Sequence, residues 1–194
     1  MNLLAHLFLS PAADEDALLG NFSADHVGGR RAAEAYSEGF RRGVALHHRI
    51  DGFTDQHPVV HQTKARLREA GFGKYAPVIA DVFYDHFLAR DFARYSPHEP
   101  LGAFTHRMYA LLTRRAAALP AGVQQFLPYM VRQDWLMNYA APAGIDRALA
   151  GLSRRASAHS GIETAGAELA RHFSAYEAEF AVFFPQLQAA VSGS

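Results

Sequence analysis

The chain has 194 residues, which is the length of one ordinary domain and is enough to bury a substantial apolar core. It contains no cysteine, so disulfides and thiolate metal sites are excluded, and a metal ion would need imidazole nitrogen and oxygen ligands. Lys and Arg together number 19, and Asp and Glu together also number 19. Because this balance gives no overall positive field, we expect neither nucleic acid nor an anionic membrane surface as a partner.

The N-terminal segment MNLLAHLFLSPAA is a short apolar run followed by small residues, which is one feature of a secretory signal. However, no Lys or Arg precedes the run, and His6 interrupts it. No stretch approaches the roughly 20 apolar residues of a membrane-spanning helix. We therefore expect a cytoplasmic enzyme without a membrane span.

The chain has the composition and periodicity of helices. Ala, Leu, Arg and Glu are plentiful, β-branched runs are scarce, and apolar residues recur every three to four positions. Glycine and proline separate the segments, with no long linker or internal repeat. The sequence predicts one compact all-α domain over 1–191, a disordered tail over 192–194, and helices over Asn2–Leu9, Asp14–Val27, Ala32–Thr54, Pro58–Ala70, Tyr75–Tyr95, Leu101–Ala118, Gly122–Tyr139, Gly144–Ser157, Ile162–Ala170 and Arg171–Val191.

The first two predicted helices carry polar residues inside apolar patterns. His6 lies within NLLAHLFL, and Asn21 and Asp25 form an i, i+4 pair within LLGNFSAD. A single histidine on an apolar helix is usually a core residue bonded to a backbone carbonyl, so His6 alone is a weak sign of a site. Asp14 and Asp16 are typical of a helix N-cap and first turn.

The third predicted helix places acidic and imidazole groups on an apolar face. Phe40, Val44, His47 and Asp51 follow one another at spacings of four, three and four residues, and Asp55 extends the series. A buried carboxylate is costly unless it is paired or bound to a cation, so this face predicts a partner. An i, i+4 His–Asp pair is also a common packing contact, so only several such groups together indicate a site.

Arginines close to this helix are candidates for binding an anion. A guanidinium can hold a phosphate with two hydrogen bonds. Arg49 lies within HHRID and is the first candidate. A basic patch, whose alternative role is a solvated helix face, consists of Arg30, Arg31, Arg41 and Arg42.

The fifth predicted helix repeats the pattern of polar groups in an apolar setting. Asp81 and Asp85 form another i, i+4 pair, followed by His86, within DVFYDHFL. Several carboxylates brought together repel one another unless a divalent cation lies between them. The clusters jointly predict a metal site in the N-terminal half of the chain.

The C-terminal half has no comparable set of ionisable groups. Its aromatic tracts, PYMVRQDWLMNY and EFAVFFPQL, have the spacing of a packed helical core. Alternatively, Trp135, Tyr129 and Tyr139 line a groove for a flexible apolar arm. The P-loop, GxGxxG, GxSxG and HExxH motifs are absent from the sequence.

Taken in chain order, several motifs resemble the acyl carrier protein phosphodiesterase family: NLLAHLFL, GNFSAD, GVALHHRIDGFTD, DVFYDHFLARDF, the DWL at Trp135 and the C-terminal FFPQL. The resemblance spans nearly the whole chain. It implies a helical fold similar to the HD-domain metal-dependent phosphohydrolases, although the chain has no His–Asp dipeptide in that order and Asp85–His86 is reversed. It also implies hydrolysis of the phosphodiester that links 4′-phosphopantetheine to a serine of acyl carrier protein, with Mn²⁺ or Mg²⁺ as cofactor.

The resemblance covers the same side chains that the residue pattern selects, and it gives them hypothetical roles. Metal ligands are expected among Asp25, His47, Asp51, Asp81 and Asp85. Asp55, or whichever of Asp81 and Asp85 does not bind the metal, would accept a proton from water. His6 or His86 would protonate the leaving serine oxygen, and Arg49 would stabilise phosphoryl charge. Asn21 and the basic patch would contact the acidic carrier protein substrate.

Two other functions are compatible with the same residues. The first is a helical metal-dependent phosphohydrolase of a free nucleotide or small phosphoester, which would need a closed pocket and no carrier-protein surface. The second is a non-catalytic helical module that binds a metal or an apolar ligand, in which the Asp and His residues form a stabilising network.

Overall fold

The regular structure of the protein is helical throughout residues 3–156 and 160–192, the ranges that the computed structural model describes. The prediction of a compact all-α domain is confirmed. The helices are α1 (Leu3–Phe8), α2 (Glu15–Ser23), α3 (Arg30–Ala33), α4 (Glu38–Gln56), α5 (Pro58–Leu67), α6 (Ala76–Arg90), α7 (Phe92–Tyr95), α8 (Leu101–Arg114), α9 (Ala121–Arg132), α10 (Trp135–Asn138), α11 (Pro142–Arg155), α12 (Ala165–Arg171) and α13 (Phe173–Ser192).

Some predicted helices are divided in the structure. The prediction of one helix over Ala32–Thr54 is wrong, because Ser37 starts a new helix: its Oγ accepts a hydrogen bond from the Phe40 amide at 3.2 Å. The predicted helix over Gly122–Tyr139 breaks at Asp134, whose φ of 48° lies in the left-handed region. These local breaks depend on single side chains and dihedrals, which hydrophobic periodicity does not report.

The ends of the described ranges limit three other predictions. Asn2 and Ser157, predicted as helix ends, lie outside the described residues. The final helix α13 includes Ser192, and the other two residues of the predicted tail, Gly193 and Ser194, also lie outside the described residues.

Helix α6 lies in the middle of the core, in contact with α1, α5, α11 and α13. Its apolar side chains Phe83, Phe87 and Leu88 are fully buried. The C-terminal aromatic tract packs there as predicted, since Phe183 and Phe184 are buried as well. No helix in the described part of the chain is long and apolar enough to cross a membrane.

Helices α2 and α4 approach so closely that their backbones touch. A Cβ added at Gly20 would lie 1.9 Å from the Phe40 carbonyl oxygen, and one at Gly43 would lie 1.9 Å from the Ala17 carbonyl oxygen. Only glycine fits at either position without moving a helix. This contact sets Asn21, at the end of α2, against His47 on α4.

Candidate metal centre

Two buried histidines from different helices lie at the centre of the site. The rings of His6 on α1 and His47 on α4 stack with 4.0 Å between centroids and 11° between planes. Both residues are almost fully buried. Two charged imidazoles at this separation would repel each other.

Two carboxylates close the site on its solvent side. His47 Nε2 lies 3.0 Å from Asp51 Oδ2 and 3.3 Å from Asp25 Oδ1. His6 Nε2 lies 3.3 Å from Asp51 Oδ1. The side chains of Asp25 and Asp51 are 44% and 48% exposed, so water and a substrate can reach the carboxylates.

The hydrogen bonds on the other ring nitrogens fix the tautomer of both histidines. His6 Nδ1 lies 2.9 Å from Asn21 Oδ1, and His47 Nδ1 lies 2.8 Å from the Asn21 backbone oxygen. Each partner is an acceptor, so both Nδ1 atoms carry the hydrogen and neutral rings present an Nε2 lone pair. A lone pair that faces carboxylate oxygens requires a proton or a cation between them.

The geometry of these groups fits a divalent cation. His47 Nε2 is buried and has no hydrogen-bond partner among the described residues, although two carboxylate oxygens lie within 3.3 Å. One ligand atom from each of His6, His47 and Asp51 lies within 4.8 Å of the others. In an octahedral shell with bonds of roughly 2.1 Å, neighbouring ligand atoms stand about 3 Å apart. The three residues therefore form a group that can hold a metal ion.

The directions of the pKa shifts in this site indicate that it stabilises a positive charge. Burial disfavours the charged form of His47, but its contacts with Asp25 and Asp51 outweigh burial and raise its pKa to about 10. Burial also opposes ionisation of Asp51, yet the bonds to His47 and His6 hold its pKa well below its usual range. The His47 contact likewise lowers the pKa of Asp25. In the absence of a metal, a proton on His47 supplies the charge.

Asn21 orients both histidines from the inside. It is fully buried, and its Nδ2 donates to the His6 backbone oxygen at 2.8 Å and to Ser10 Oγ at 2.9 Å. A substrate-binding role was predicted for Asn21, but in the structure its side chain is enclosed and both Oδ1 and Nδ2 are hydrogen-bonded within the protein. Ser10, which lies within the N-terminal segment MNLLAHLFLSPAA, completes the network; its position four residues after His6 was the available signal.

Asp85 and His86 lie outside the histidine cluster, each with other partners. Asp85 is fully buried and accepts hydrogen bonds from the amides of Leu4 and Ala5, at 3.0 and 3.1 Å. Burial raises the Asp85 pKa to about 8 despite these two bonds. His86 is buried among aromatic side chains, with its Nδ1 donating to the Tyr139 backbone oxygen at 2.8 Å.

The other predicted acidic and phosphate-binding residues are not part of the group formed by His6, His47 and Asp51. Asp81, half-buried, lies one turn before Asp85 on α6. Asp55, one turn beyond Asp51 on α4, is exposed and pairs with Lys64 Nζ at 2.7 Å. Arg49 is exposed, and its Nη2 donates to the Val191 backbone oxygen at 3.3 Å.

The basic patch is exposed but partly neutralised. Arg42 pairs with Asp14 at 2.7 Å and with Glu38 at 3.4 Å, so its charge is largely balanced. Arg41 donates to the Tyr36 backbone oxygen, and Arg31 is exposed. Arg30 begins α3, and its side chain lies outside what the structure describes.

An exposed histidine that the sequence analysis left without a role lies next to the cluster. The His48 ring stands edge-to-face against His47, with 5.8 Å between centroids. It is exposed to solvent, whereas His6 and His47 are not. The HH pair in the sequence was the signal, since adjacent residues on a helix point about 100° apart and one can be buried while the other is exposed.

Comparison with known proteins identifies the family of the chain. The family model for acyl carrier protein phosphodiesterase matches residues 1–187. An acyl carrier protein phosphodiesterase from Photorhabdus laumondii is 33% identical over 187 residues, covering 96% of this chain and 93% of the relative. One from Serratia proteamaculans is 34% identical over 187 residues, covering 96% and 95%. No solved structure matches the chain. By sequence, the chain belongs to the acyl carrier protein phosphodiesterase family.

Proposed function

We propose that the protein is a metal-dependent phosphodiesterase that acts on holo acyl carrier protein. The reaction would hydrolyse the phosphodiester between 4′-phosphopantetheine and a serine, and would yield apo acyl carrier protein and 4′-phosphopantetheine. Membership of the family supports the substrate. The observation that carries the chemistry is the buried Nε2 of His47, which faces oxygens of both Asp25 and Asp51 within 3.3 Å.

The ligand set in this proposal is His6, His47, Asp51 and Asp25. It differs from the set expected from sequence, because His6 replaces Asp81 and Asp85. Imidazole and carboxylate ligands with an open solvent side suit Mn²⁺, with Mg²⁺ as the second candidate. When bound, such an ion polarises a phosphoryl oxygen and lowers the pKa of a water molecule.

The surrounding residues would orient the ligands and move the protons. Asn21 holds both Nδ1 atoms, and Asp85 fixes the start of α1, so both act through His6 or His47. Asp55 keeps an oxygen that Lys64 does not bond and would accept the proton of the attacking water. His48 is exposed beside the cluster and would protonate the leaving serine oxygen, a role that buried His86 is poorly placed to fill.

The substrate would be held by guanidinium groups on the exposed side of α4. Arg49 has N–H donors that the Val191 carbonyl does not occupy, and these would bind the phosphoryl oxygens. Arg31 and Arg41 are exposed and have no acidic partner among the described residues, and they would meet the acidic carrier protein, so binding should weaken with salt. The cytoplasmic location expected from the sequence is part of the same proposal.

The test is intact-mass analysis of holo acyl carrier protein incubated with the protein, with Mn²⁺ or with a chelator. Conversion to the apo mass that requires Mn²⁺ and is lost in Asp51→Asn would support the proposal. If free nucleotides or phosphoesters are hydrolysed and holo carrier protein is not converted, the substrate is a small phosphoester and not the carrier protein. If a folded protein that binds Mn²⁺ shows no activity in either assay, the non-catalytic metal-binding module is favoured.

A further inference from the structure

A second feature of the molecule is a cavity beneath α11. Its volume is about 120 Å³, and its inner wall is apolar, formed by Leu3, Val82, Trp135, Ala148 and Leu152. A cavity of roughly 150 Å³ holds one benzene ring, so this one accepts the end of a single hydrocarbon chain and excludes bulkier groups. The wall belongs to α1, α6, α10 and α11, and none of the residues proposed as metal ligands takes part in it.

The mouth of the cavity is strongly basic. Arg147, Arg154 and Arg155, all on α11, line its outer part. Among the described residues, none of the three guanidiniums pairs with a carboxylate; Arg147 donates only to the side-chain oxygen of Asn138, at 2.8 Å. The chain as a whole carries equal numbers of basic and acidic residues. The mouth is therefore a local concentration of unbalanced positive charge.

Several arginines elsewhere are paired with acidic side chains, as Arg107 is with Glu99 and Arg115 is with Glu15 and Asp16. This mouth differs from those positions because three arginines without a carboxylate partner among the described residues line one cavity. A guanidinium without a carboxylate retains its full capacity for two parallel hydrogen bonds to a carboxylate or phosphate.

We propose that this cavity binds a single-chain anionic amphiphile, with the hydrocarbon chain against Trp135 and Leu152 and the anionic head on Arg154 and Arg155. The apolar wall and the basic mouth face the same space, so one ligand with a tail and a negative head satisfies both. A carboxylate or a phosphate head fits this chemistry equally. The site is separate from the proposed hydrolytic function, because it requires neither a metal nor acyl carrier protein.

The protein contains its own reporter for this site. Trp135 is the single tryptophan of the chain and lies in the cavity wall. Tryptophan fluorescence, measured on the full chain without metal, therefore follows the binding of octanoate, octyl phosphate and octanol. We expect saturable binding of the two anions and at least about tenfold weaker binding of octanol. A preference for octyl phosphate over octanoate would identify a phosphate head, and the reverse order a carboxylate.

Two kinds of variant separate the tail from the head. A Cβ at Gly151 would meet only Arg154 Nη2, at 3.8 Å, so Gly151→Leu grows into the cavity without striking the helix core. It should abolish binding of all three probes, whereas Gly102→Leu on α8, where a Cβ meets nothing within 4 Å, should not. In the double variant Arg154→Gln, Arg155→Gln, the affinity for the two anions should fall about tenfold, and the affinity for octanol should be unchanged.

Three results would overturn the proposal. If octanol binds as tightly as the anions, the arginines do not bind the head group and the cavity recognises only the hydrocarbon chain. Unchanged anion binding in Gly151→Leu would place the ligand elsewhere. An absence of saturable fluorescence change with either anion would remove the site altogether. Thermal melting of each variant checks that the fold is retained, and the exposed pair Arg154 and Arg155 gives a test that does not alter the core.

Discussion

The side-chain oxygen of Asn21 lies 2.9 Å from Nδ1 of His6, and this bond joins α2 to α1 inside the protein. The same residue accepts a bond from His47 Nδ1 with its backbone oxygen, at 2.8 Å. One buried asparagine thus sets the orientation of both imidazoles whose Nε2 atoms face the carboxylates. It acts on the site through the histidines, without being exposed to a substrate.

Replacing Asn21 by leucine should disturb both stability and metal binding. The substitution keeps the branched shape in a larger apolar side chain, leaves the Nδ1–H of His6 unpaired and removes two donated bonds, to the His6 oxygen and Ser10. We expect a loss of about 1–3 kcal/mol in the free energy of unfolding. Mn²⁺ affinity should fall about 10–100-fold, because the histidine loses its orienting partner.

Urea unfolding and calorimetric Mn²⁺ titration check this expectation. Gln62→Leu, at an exposed position on α5, is the matched control for loss of a side-chain amide. Asn21→Leu with unchanged Mn²⁺ affinity would show that the histidines do not need this residue for their orientation.

Removing an imidazole from the cluster should abolish metal binding. His47→Gln eliminates the Nε2 atom that faces Asp25 and Asp51, and an amide is a weaker ligand. We expect Mn²⁺ affinity and conversion of holo carrier protein to fall more than about 100-fold. His106→Gln, at an exposed histidine on α8, should leave both unchanged. Equal behaviour of the two variants would move the metal centre away from the cluster.

The contact between α2 and α4 should be intolerant of a single methyl group. Gly43→Ala would bring a Cβ to 1.9 Å from the Ala17 carbonyl oxygen, so the two helices must separate. Overpacking of this kind costs about 1–3 kcal/mol, and here it also displaces Asn21 and Asp25 from His47. Thermal melting and Mn²⁺ titration would measure both effects.

Gly52 on the same helix provides the opposite case. A Cβ at Gly52 meets nothing within 4 Å, so Gly52→Ala should stabilise the protein by about 0.5–1 kcal/mol through helix propensity alone. Destabilisation by both alanines would mean that the close approach of α2 to α4 is not the cause.

Several residues of the candidate site were candidates from sequence, but their grouping could not be predicted. Periodicity placed His47 and Asp51 on one face of a helix, and in the structure His47 Nε2 lies 3.0 Å from Asp51 Oδ2. It could not show that His6 would stack on His47, because that contact depends on how α1 packs across α2 and α4. Nor could it show that Asp85 is used to hold the start of α1. Local pattern reports which face a side chain occupies, whereas the partner across the interface is set by tertiary packing.

The pKa values predict that the stability of the metal-free protein falls as the pH rises, while the stabilisation by a bound metal ion grows. The pKa of His47 is raised from 6.5 to about 10 on folding, so its contribution to stability is complete below pH 6.5 and is lost as the pH rises towards 10. The lowered pKa values of Asp25 and Asp51 act at the other end, since their contribution is present above pH 3.8 and is lost on acidification. A divalent ion displaces the proton on His47, so alkaline conditions favour its binding.

Urea unfolding between pH 6.5 and about 10 would measure this linkage with and without Mg²⁺, which stays soluble over more of this range than Mn²⁺. The metal-free protein should lose stability steadily, and the difference between loaded and metal-free protein should widen with pH. In Asp51→Asn, His47 loses one of its two carboxylate contacts, so its folded pKa is less raised. The decline should still begin near pH 6.5 but should end at lower pH and be smaller. An identical decline in Asp51→Asn and the unaltered protein would mean that His47 is not the titrating group, and the proton would have to be sought on another residue.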